Sequence, residues 1–99
     1  MITRIVKLSF KDEFISNFKT IFEESKQKIL SQKGCLKAEM LQDVNSKNIF
    51  FTYSWWETEQ DLNNYRNSEL FKGVWATTKP MFASKAGAWS VDTHCHVEL

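Results

Sequence analysis

The sequence predicts one small α+β domain, and three observations support this prediction. The chain has 99 residues, a length that suits a single domain spanning residues 1–99. Apolar residues alternate in four segments, as they do on β-strands. In two longer segments they recur instead at the three- and four-residue spacing of helices. The resulting order is strand, helix, strand, strand, helix, strand.

The first strand and the first helix are separated by a change in the period of the apolar residues. Residues 2–9 alternate, and Arg4 lies on the otherwise apolar side of this segment. Residues 13–32 then have helical spacing, with lysine and glutamate on the remaining faces. We expect Asp12 to be the N-cap of this helix and Gly34 to supply the left-handed residue that ends it.

Two further strands are expected at residues 35–42 and 49–56, joined by a polar connector of hairpin length. The second of these strands carries large apolar residues on both of its faces. A strand that is apolar on both faces is covered on both faces. The chain's own helices can cover one face, but so short a chain leaves nothing for the other. We therefore expect a homodimer that forms through the sheet face.

The second half of the chain completes the fold. Thr58 and Asp61 have the spacing of a capping box at the start of a helix, and the polar stretch 66–69 should kink or break that helix. Apolar residues then resume helical spacing until Pro80, and a last strand is expected at 88–97. With right-handed crossovers, this order gives the ferredoxin-like βαββαβ sandwich, whose four-stranded antiparallel sheet carries helices on one face.

Composition and charge exclude several classes of function. The net charge is +1, and basic residues are spread along the chain rather than concentrated as in a nucleic-acid-binding protein. No run of about 18 apolar residues and no secretory leader is visible, so we expect a cytoplasmic protein without a membrane partner. With only two cysteines, reduced thiols are expected.

His94, Cys95 and His96 are the most concentrated group of potential metal ligands. On a strand the two histidines would share a face with Asp92. A site of this kind needs further ligands from elsewhere in the chain, and Cys95 lacks the surroundings that activate a nucleophile. We therefore expect no metal site. A phosphate-binding loop is also excluded, because the chain has only three glycines.

One ordered set of residues, spread over nearly the whole chain, matches a known protein family. It consists of Phe18, Phe22, Gly34, Cys35, the run Asn48 to Phe50, the run Trp56 to Thr58, Leu62, Tyr65, Ser68, Phe71, Ala88 and Trp89. On these residues the chain resembles the antibiotic biosynthesis monooxygenase family, of the quinol-monooxygenase type, within the dimeric α+β barrel superfamily.

The resemblance implies a homodimer with face-to-face sheets and a pocket between sheet and helices. It also implies a small aromatic or quinol-type substrate that is oxygenated without metal or flavin, so no cofactor is expected. Two departures are visible. Many members carry histidines where this chain has Tyr65 and Leu70. Haem-degrading relatives need an axial histidine near the position of Trp75 and an asparagine on the first strand, and this chain has neither.

Cofactor-free oxygenation requires a dry aromatic pocket, a means of deprotonating a phenol, and donors for the developing oxyanion. Tyr65, Asn63 and Arg4 are the residues we expect to act on the substrate. The Tyr65 hydroxyl can donate or accept a hydrogen bond, the Asn63 amide can orient an oxygen, and Arg4 can stabilise an anion. The residues expected to bind the substrate are Trp75, Trp55, Phe51 and Phe71.

Each of these assignments has a structural alternative. The aromatic residues can equally form the core or the dimer interface, and Arg4 can pair with Glu39 or Glu57. The main alternative function is a non-catalytic dimer that binds a small ligand or fills its pocket with its own side chains. A haem-degrading monooxygenase is a third and more distant candidate.

Overall fold

The chain forms a four-stranded sheet and three α-helices in the order that its apolar segments predict. The computed structural model describes residues 1–97. Its elements are β1 (Ile2–Ser9), α1 (Ile15–Leu30), β2 (Cys35–Gln42), β3 (Ile49–Trp56), α2 (Glu59–Arg66), α3 (Glu69–Thr78) and β4 (Gly87–Val91). The ferredoxin-like α+β prediction is therefore confirmed. None of the helices in the described part of the chain has the length and apolar character needed to span a membrane.

The two central strands of the sheet are β3 and β1. The strand order is β2-β3-β1-β4, and every neighbouring pair is antiparallel. Leu8 of β1 lies opposite Phe50 of β3, and both pack with Phe18 of α1 in the buried core. The helical layer therefore covers the sheet face that carries the even-numbered residues of these two strands.

An aromatic cluster anchors this core. Phe10, which follows β1, has no exposed surface and stacks on Phe18 with ring centroids 4.4 Å apart. Phe50 meets the edge of Phe18 at 5.2 Å and that of Phe10 at 5.8 Å. Each fully buried ring of this kind stabilises the fold by about 1.5–3 kcal/mol, so this cluster holds α1 firmly on the sheet.

The break between the second and third helices is confirmed, and Ser68 explains it. Its hydroxyl donates to the carbonyl of Tyr65 at 2.6 Å and accepts from the backbone N–H of Phe71 at 3.2 Å. One side chain thus closes α2 and caps α3. The expected cap at the start of α2 is also present, because the Thr58 hydroxyl accepts from the N–H of Asp61 at 3.1 Å.

The start of the first helix differs from the prediction. Asp12 is not its N-cap, because Asp12 begins a short 3₁₀ turn, Asp12–Phe14, and its carbonyl accepts from the N–H of Ile15. The residue at the N-cap of α1 is Phe14, whose side chain makes no capping hydrogen bond. The helix consequently begins two residues later than expected.

The last strand is shorter than predicted, and its partner explains the difference. Val91 pairs with Thr3, and β1 begins at Ile2, so almost no partner backbone remains for a longer β4. The strand therefore ends at Val91 instead of residue 97. His94 and His96 lie beyond it, and the expectation that they share one face of a strand is wrong.

Gly34 connects the start of β2 to the helical layer. Its φ angle is +80°, in the left-handed region that glycine adopts readily. Its carbonyl accepts from the N–H of Glu57 at 2.9 Å, just before α2. A methyl group at this position would overlap the carboxylate of Asp61, which is buried. The position therefore requires glycine both for its backbone conformation and for the close approach of α2.

We expect Gly34→Ala to lower the free energy of unfolding by about 2 kcal/mol or more, through the left-handed φ and the overlap with Asp61. Gly73→Ala is the matched control, because a methyl group on this residue of α3 meets no atom within 4 Å. Alanine should stabilise the helix there by about 0.5–1 kcal/mol. Urea denaturation of both variants checks the prediction, and equal effects would contradict it.

Candidate functional site

A pocket lies between the sheet and the helices. Its volume is about 390 Å³, within the range of small-molecule sites. All four strands and all three helices contribute to its lining. Most of the lining is apolar, and the polar groups are few, which is the usual composition of a pocket that binds an organic ligand. This cavity is the candidate functional site.

The floor of the pocket is built from the face of the sheet that the helices cover. Arg4 on β1 lies directly opposite Ser54 on β3 and Ser90 on β4. In the next row, Val6 lies opposite Thr52 on one side and Ala88 on the other. The floor is therefore formed mainly by small side chains, and Arg4 is its one charged member among these two rows.

The wall of the pocket is aromatic and comes from α2 and α3. Tyr65 stacks on the buried Trp56 with ring centroids 5.0 Å apart and an interplanar angle of 23°. Phe71 meets Tyr65 edge-on at 5.3 Å and stacks on Trp75 at 5.9 Å. The Ser68 bridge between the two helices sets the relative position of these rings, since it bonds the backbone of both Tyr65 and Phe71.

Tyr65 is a neutral phenol over the physiological pH range. Burial raises its pKa to about 12, with a smaller contribution from the nearby Cys35 thiol. Its hydroxyl forms no hydrogen bond with another residue of the described chain, so it is available to a ligand. A neutral phenol with this pKa donates a hydrogen bond to an oxyanion, and it is not ionised to act as a base.

Arg4 is half-buried and bonded to a neutral partner. Its guanidinium donates to the Ser90 hydroxyl at 3.0 Å. Burial lowers its pKa, and the positive charge of Arg66 lowers it further. The alternative in which Arg4 pairs with Glu39 or Glu57 is not observed in residues 1–97, because Glu39 instead pairs with Lys37 at 2.9 Å. An arginine remains protonated under these conditions, so its charge faces the pocket.

The structure brings four of the seven expected site residues together. Tyr65, Arg4, Trp75 and Phe71 all line the pocket. Asn63 lies half-buried on α2 outside the lining, and its carbonyl accepts from the side-chain amide of Asn67 at 2.9 Å.

The other two expected residues, Trp55 and Phe51, lie on the opposite face of the sheet. Trp55 is 5.8 Å from Tyr53, ring to ring, and the ammonium group of Lys37 lies 5.1 Å from its ring. On the same face, Trp89 is 51% exposed. This surface, formed by Phe51, Tyr53, Trp55 and Trp89, is called the open sheet face below.

Several lining residues were not expected from the sequence. Thr52 and Ser54 lie on the same face of β3 as the buried Phe50 and Trp56. The alternation of faces along the strand could therefore have identified them as facing the helices. Arg66 is the last residue of α2, within the polar stretch that predicted only a helix break. No sequence pattern reveals that it faces the pocket, because that depends on how α2 packs.

Potential metal ligands do not cluster in the part of the chain that the structure describes. No group of three or more histidine, cysteine, aspartate or glutamate residues there is arranged to hold a metal ion. Burial raises the pKa of the Cys35 thiol, which keeps it protonated and weakly nucleophilic.

The sequence was compared with models of known protein families and with curated proteins. The family model for the antibiotic biosynthesis monooxygenases matches residues 1–76. No match was found among curated proteins.

The fold is shared with solved structures of low sequence identity. A protein from Nitrosomonas europaea, provisionally named an antibiotic biosynthesis monooxygenase, superposes with a TM-score of 0.88 at 17% identity; the match covers 96% of this chain and 100% of that one. A Deinococcus radiodurans protein with the same provisional name gives 0.89 at 12% identity, over 100% and 98%. A conserved protein from Methanosarcina mazei Go1 gives 0.85 at 18% identity, over 92% and 91%.

These structures establish a shared fold, and the family model reaches from β1 to the pocket wall on α3. The resemblance inferred from the residues alone is confirmed. The chain belongs to the antibiotic biosynthesis monooxygenase family.

Proposed function

We propose that the protein is a cofactor-independent monooxygenase, a cytoplasmic homodimer that oxidises a small aromatic, quinol-type substrate in the pocket between sheet and helices. Membership of the family supports a monooxygenase-type role. The observation that carries the proposal is the pocket itself, where an aromatic wall faces an available phenol and the Arg4 guanidinium, which forms no ion pair within residues 1–97. This combination suits an aromatic substrate that becomes negatively charged during the reaction.

The reaction we propose draws its electrons from the substrate. The ionised quinol transfers one electron to O₂, and the resulting substrate radical and superoxide combine to form a carbon–oxygen bond. Loss of water from this peroxide leaves a hydroxyquinone. One oxygen atom enters the product and the other leaves as water, so the quinol is oxidised and O₂ is fully reduced. No external reductant is needed.

Each pocket group has a defined part in this scheme. The Arg4 charge favours the ionised form of the substrate, whose proton passes to water because the pocket lining includes no histidine. The Tyr65 hydroxyl donates to the oxyanion. Phe71 and Trp75 hold the substrate ring and exclude water from it.

A second candidate function is non-catalytic binding of a small ligand by the same pocket. The lack of a histidine in the lining favours it, since neither Tyr65 nor Arg4 is a base at neutral pH. The two candidates make different predictions for oxygen consumption, which is tested below.

The open sheet face supports the proposed homodimer. Phe51, Tyr53 and Trp55 are only partly buried, and Trp89 is half-exposed beside them. Leu41 and Val91 extend this apolar surface to both edges of the sheet, with 41% and 40% of their surface exposed. Apolar surface of this kind gains about 25 cal/mol per Å² on burial, so a second copy of the chain would cover it favourably.

We expect the absorbance of tyrosinate to show a step near pH 12 that disappears in Tyr65→Phe. Tyr53→Phe, on the open sheet face, is the control and should keep this step. The unfolded chain ionises at the lower pKa of 10.0, so the free energy of unfolding should fall as the pH rises from about 10 to about 12. In Tyr65→Phe this contribution should vanish. A Tyr65 that titrates with the unfolded chain would show that its hydroxyl is not protected by burial.

We expect the purified, metal-free protein to consume oxygen with hydroquinones or naphthols faster than the uncatalysed rate. Tyr65→Phe should lower kcat by about tenfold or more, since it removes a donor to the oxyanion. Lys72→Gln, at an exposed position of α3 outside the pocket lining, serves as the control and should retain the activity. An oxygen electrode with a small substrate panel checks this. No uptake with any substrate would favour the binding function.

We expect Phe51→Lys or Trp55→Lys to give monomers or insoluble protein, because a buried interface does not tolerate an unpaired charge. Val44→Lys is the control, since Val44 lies in the connector before β3 and is 80% exposed. Gel filtration with light scattering measures the mass of each variant. An unchanged dimer in the first two variants would refute the interface.

A further inference from the structure

Both arginines of this chain lie at the pocket. Arg4 and Arg66 are its only two arginines, and both contribute to the lining, whereas no lysine does. Arg4 rises from the floor on β1, and Arg66 is the last residue of α2, at an exposed position. The two arginines therefore border the same pocket from opposite layers of the fold.

Their positive charge is not neutralised within the described chain. Neither arginine forms an ion pair in residues 1–97, and the partner of Arg4 is the uncharged hydroxyl of Ser90. Among the described lining residues the one carboxylate is that of Glu39, and it is paired with Lys37. The charge of Arg66 also acts on Arg4, because it contributes to the lowered pKa of Arg4. Two like charges at one apolar pocket destabilise each other until an anion lies between them.

We propose that the natural ligand of the pocket is an aromatic carboxylate whose carboxylate group is held by Arg4 and Arg66. This inference deepens the proposed function and rests on it in placing an aromatic ring in the pocket. A carboxylate is ionised at neutral pH before any reaction, unlike a phenol. Its two oxygens match the planar fork of a guanidinium, which explains the use of arginine here rather than lysine.

The pocket fixes the orientation of such a ligand. Its carboxylate lies at the Arg4 end of the floor, and its ring packs against Phe71 and Trp75. A volume of about 390 Å³ accommodates a ring system of one or two rings. The Tyr65 hydroxyl remains free for a second oxygen on the ring, so substrate binding and oxyanion stabilisation use different groups.

The test compares 2-naphthoate with its neutral amide, 2-naphthamide, by isothermal titration calorimetry on the full chain. We expect the wild type to bind the carboxylate about tenfold or more tightly, and this preference to shrink as salt is added. Arg4→Gln and Arg66→Gln should each weaken naphthoate binding by about tenfold and change naphthamide binding little. Arg4→Lys should lose part of the preference, because it keeps the charge without the fork.

Lys72→Gln is the matched control, since it removes one positive charge from an exposed position of α3 outside the pocket. Equal affinity of the wild type for both compounds, equal losses for both in the arginine variants, or no binding of either would overturn the proposal. Selective naphthoate binding without oxygen consumption would uphold it while refuting the monooxygenase. Oxygen consumption without a preference for the carboxylate would uphold the monooxygenase and refute the carboxylate site.

Discussion

β3 is the element on which the rest of the structure depends, because it has large apolar side chains on both faces and a neighbouring strand on both edges. On one face, Phe50 and Trp56 are fully buried beneath the helices. On the other, Phe51 and Trp55 belong to the open sheet face. The strand that anchors the core is thus also the strand that would drive association, so in the proposed homodimer folding and assembly would share a single eight-residue segment.

The pocket exists because side-chain size varies along this strand. Phe50 and Trp56 are large and lie near its ends, whereas Thr52 and Ser54 lie between them on the same face. Ala38 lies beside Ser54 on β2. The large residues at the ends support the helices, and the small ones in the middle do not fill the space below them. A cavity at this point is therefore a property of the sheet, and the aromatic wall on α2 and α3 only encloses it.

The sequence was sufficient for the strands whose apolar residues alternate, and β1, β2 and β3 have the predicted bounds. It was insufficient for β4, since the length of a strand depends on where its partner ends. Phe51 and Trp55 were expected in the pocket but lie on the opposite face of the sheet. Which face of β3 the helices cover is not decided by alternation alone.

The two arginines illustrate the same limit within the site. Arg4 could be identified because a charge on an apolar strand face is unusual. Arg66 could not, because its direction follows from the packing of α2 on the sheet, and a polar stretch at a helix end carries no such information. A residue's place in the pocket could be predicted where it follows from the local sequence pattern. It could not be predicted where it depends on how a helix packs on the sheet.

The bond between Arg4 and Ser90 joins residues 86 positions apart and spans the pair of β1 with β4. β4 has five residues, four of them exposed, and among the described strands it pairs only with β1. Short edge strands of this kind open locally at a lower free energy than the core. The arginine of the pocket floor is thus hydrogen-bonded to a short, exposed edge strand. A ligand bound by Arg4 would therefore stabilise β4 and slow its amide hydrogen exchange, although β4 lies apart from the aromatic wall.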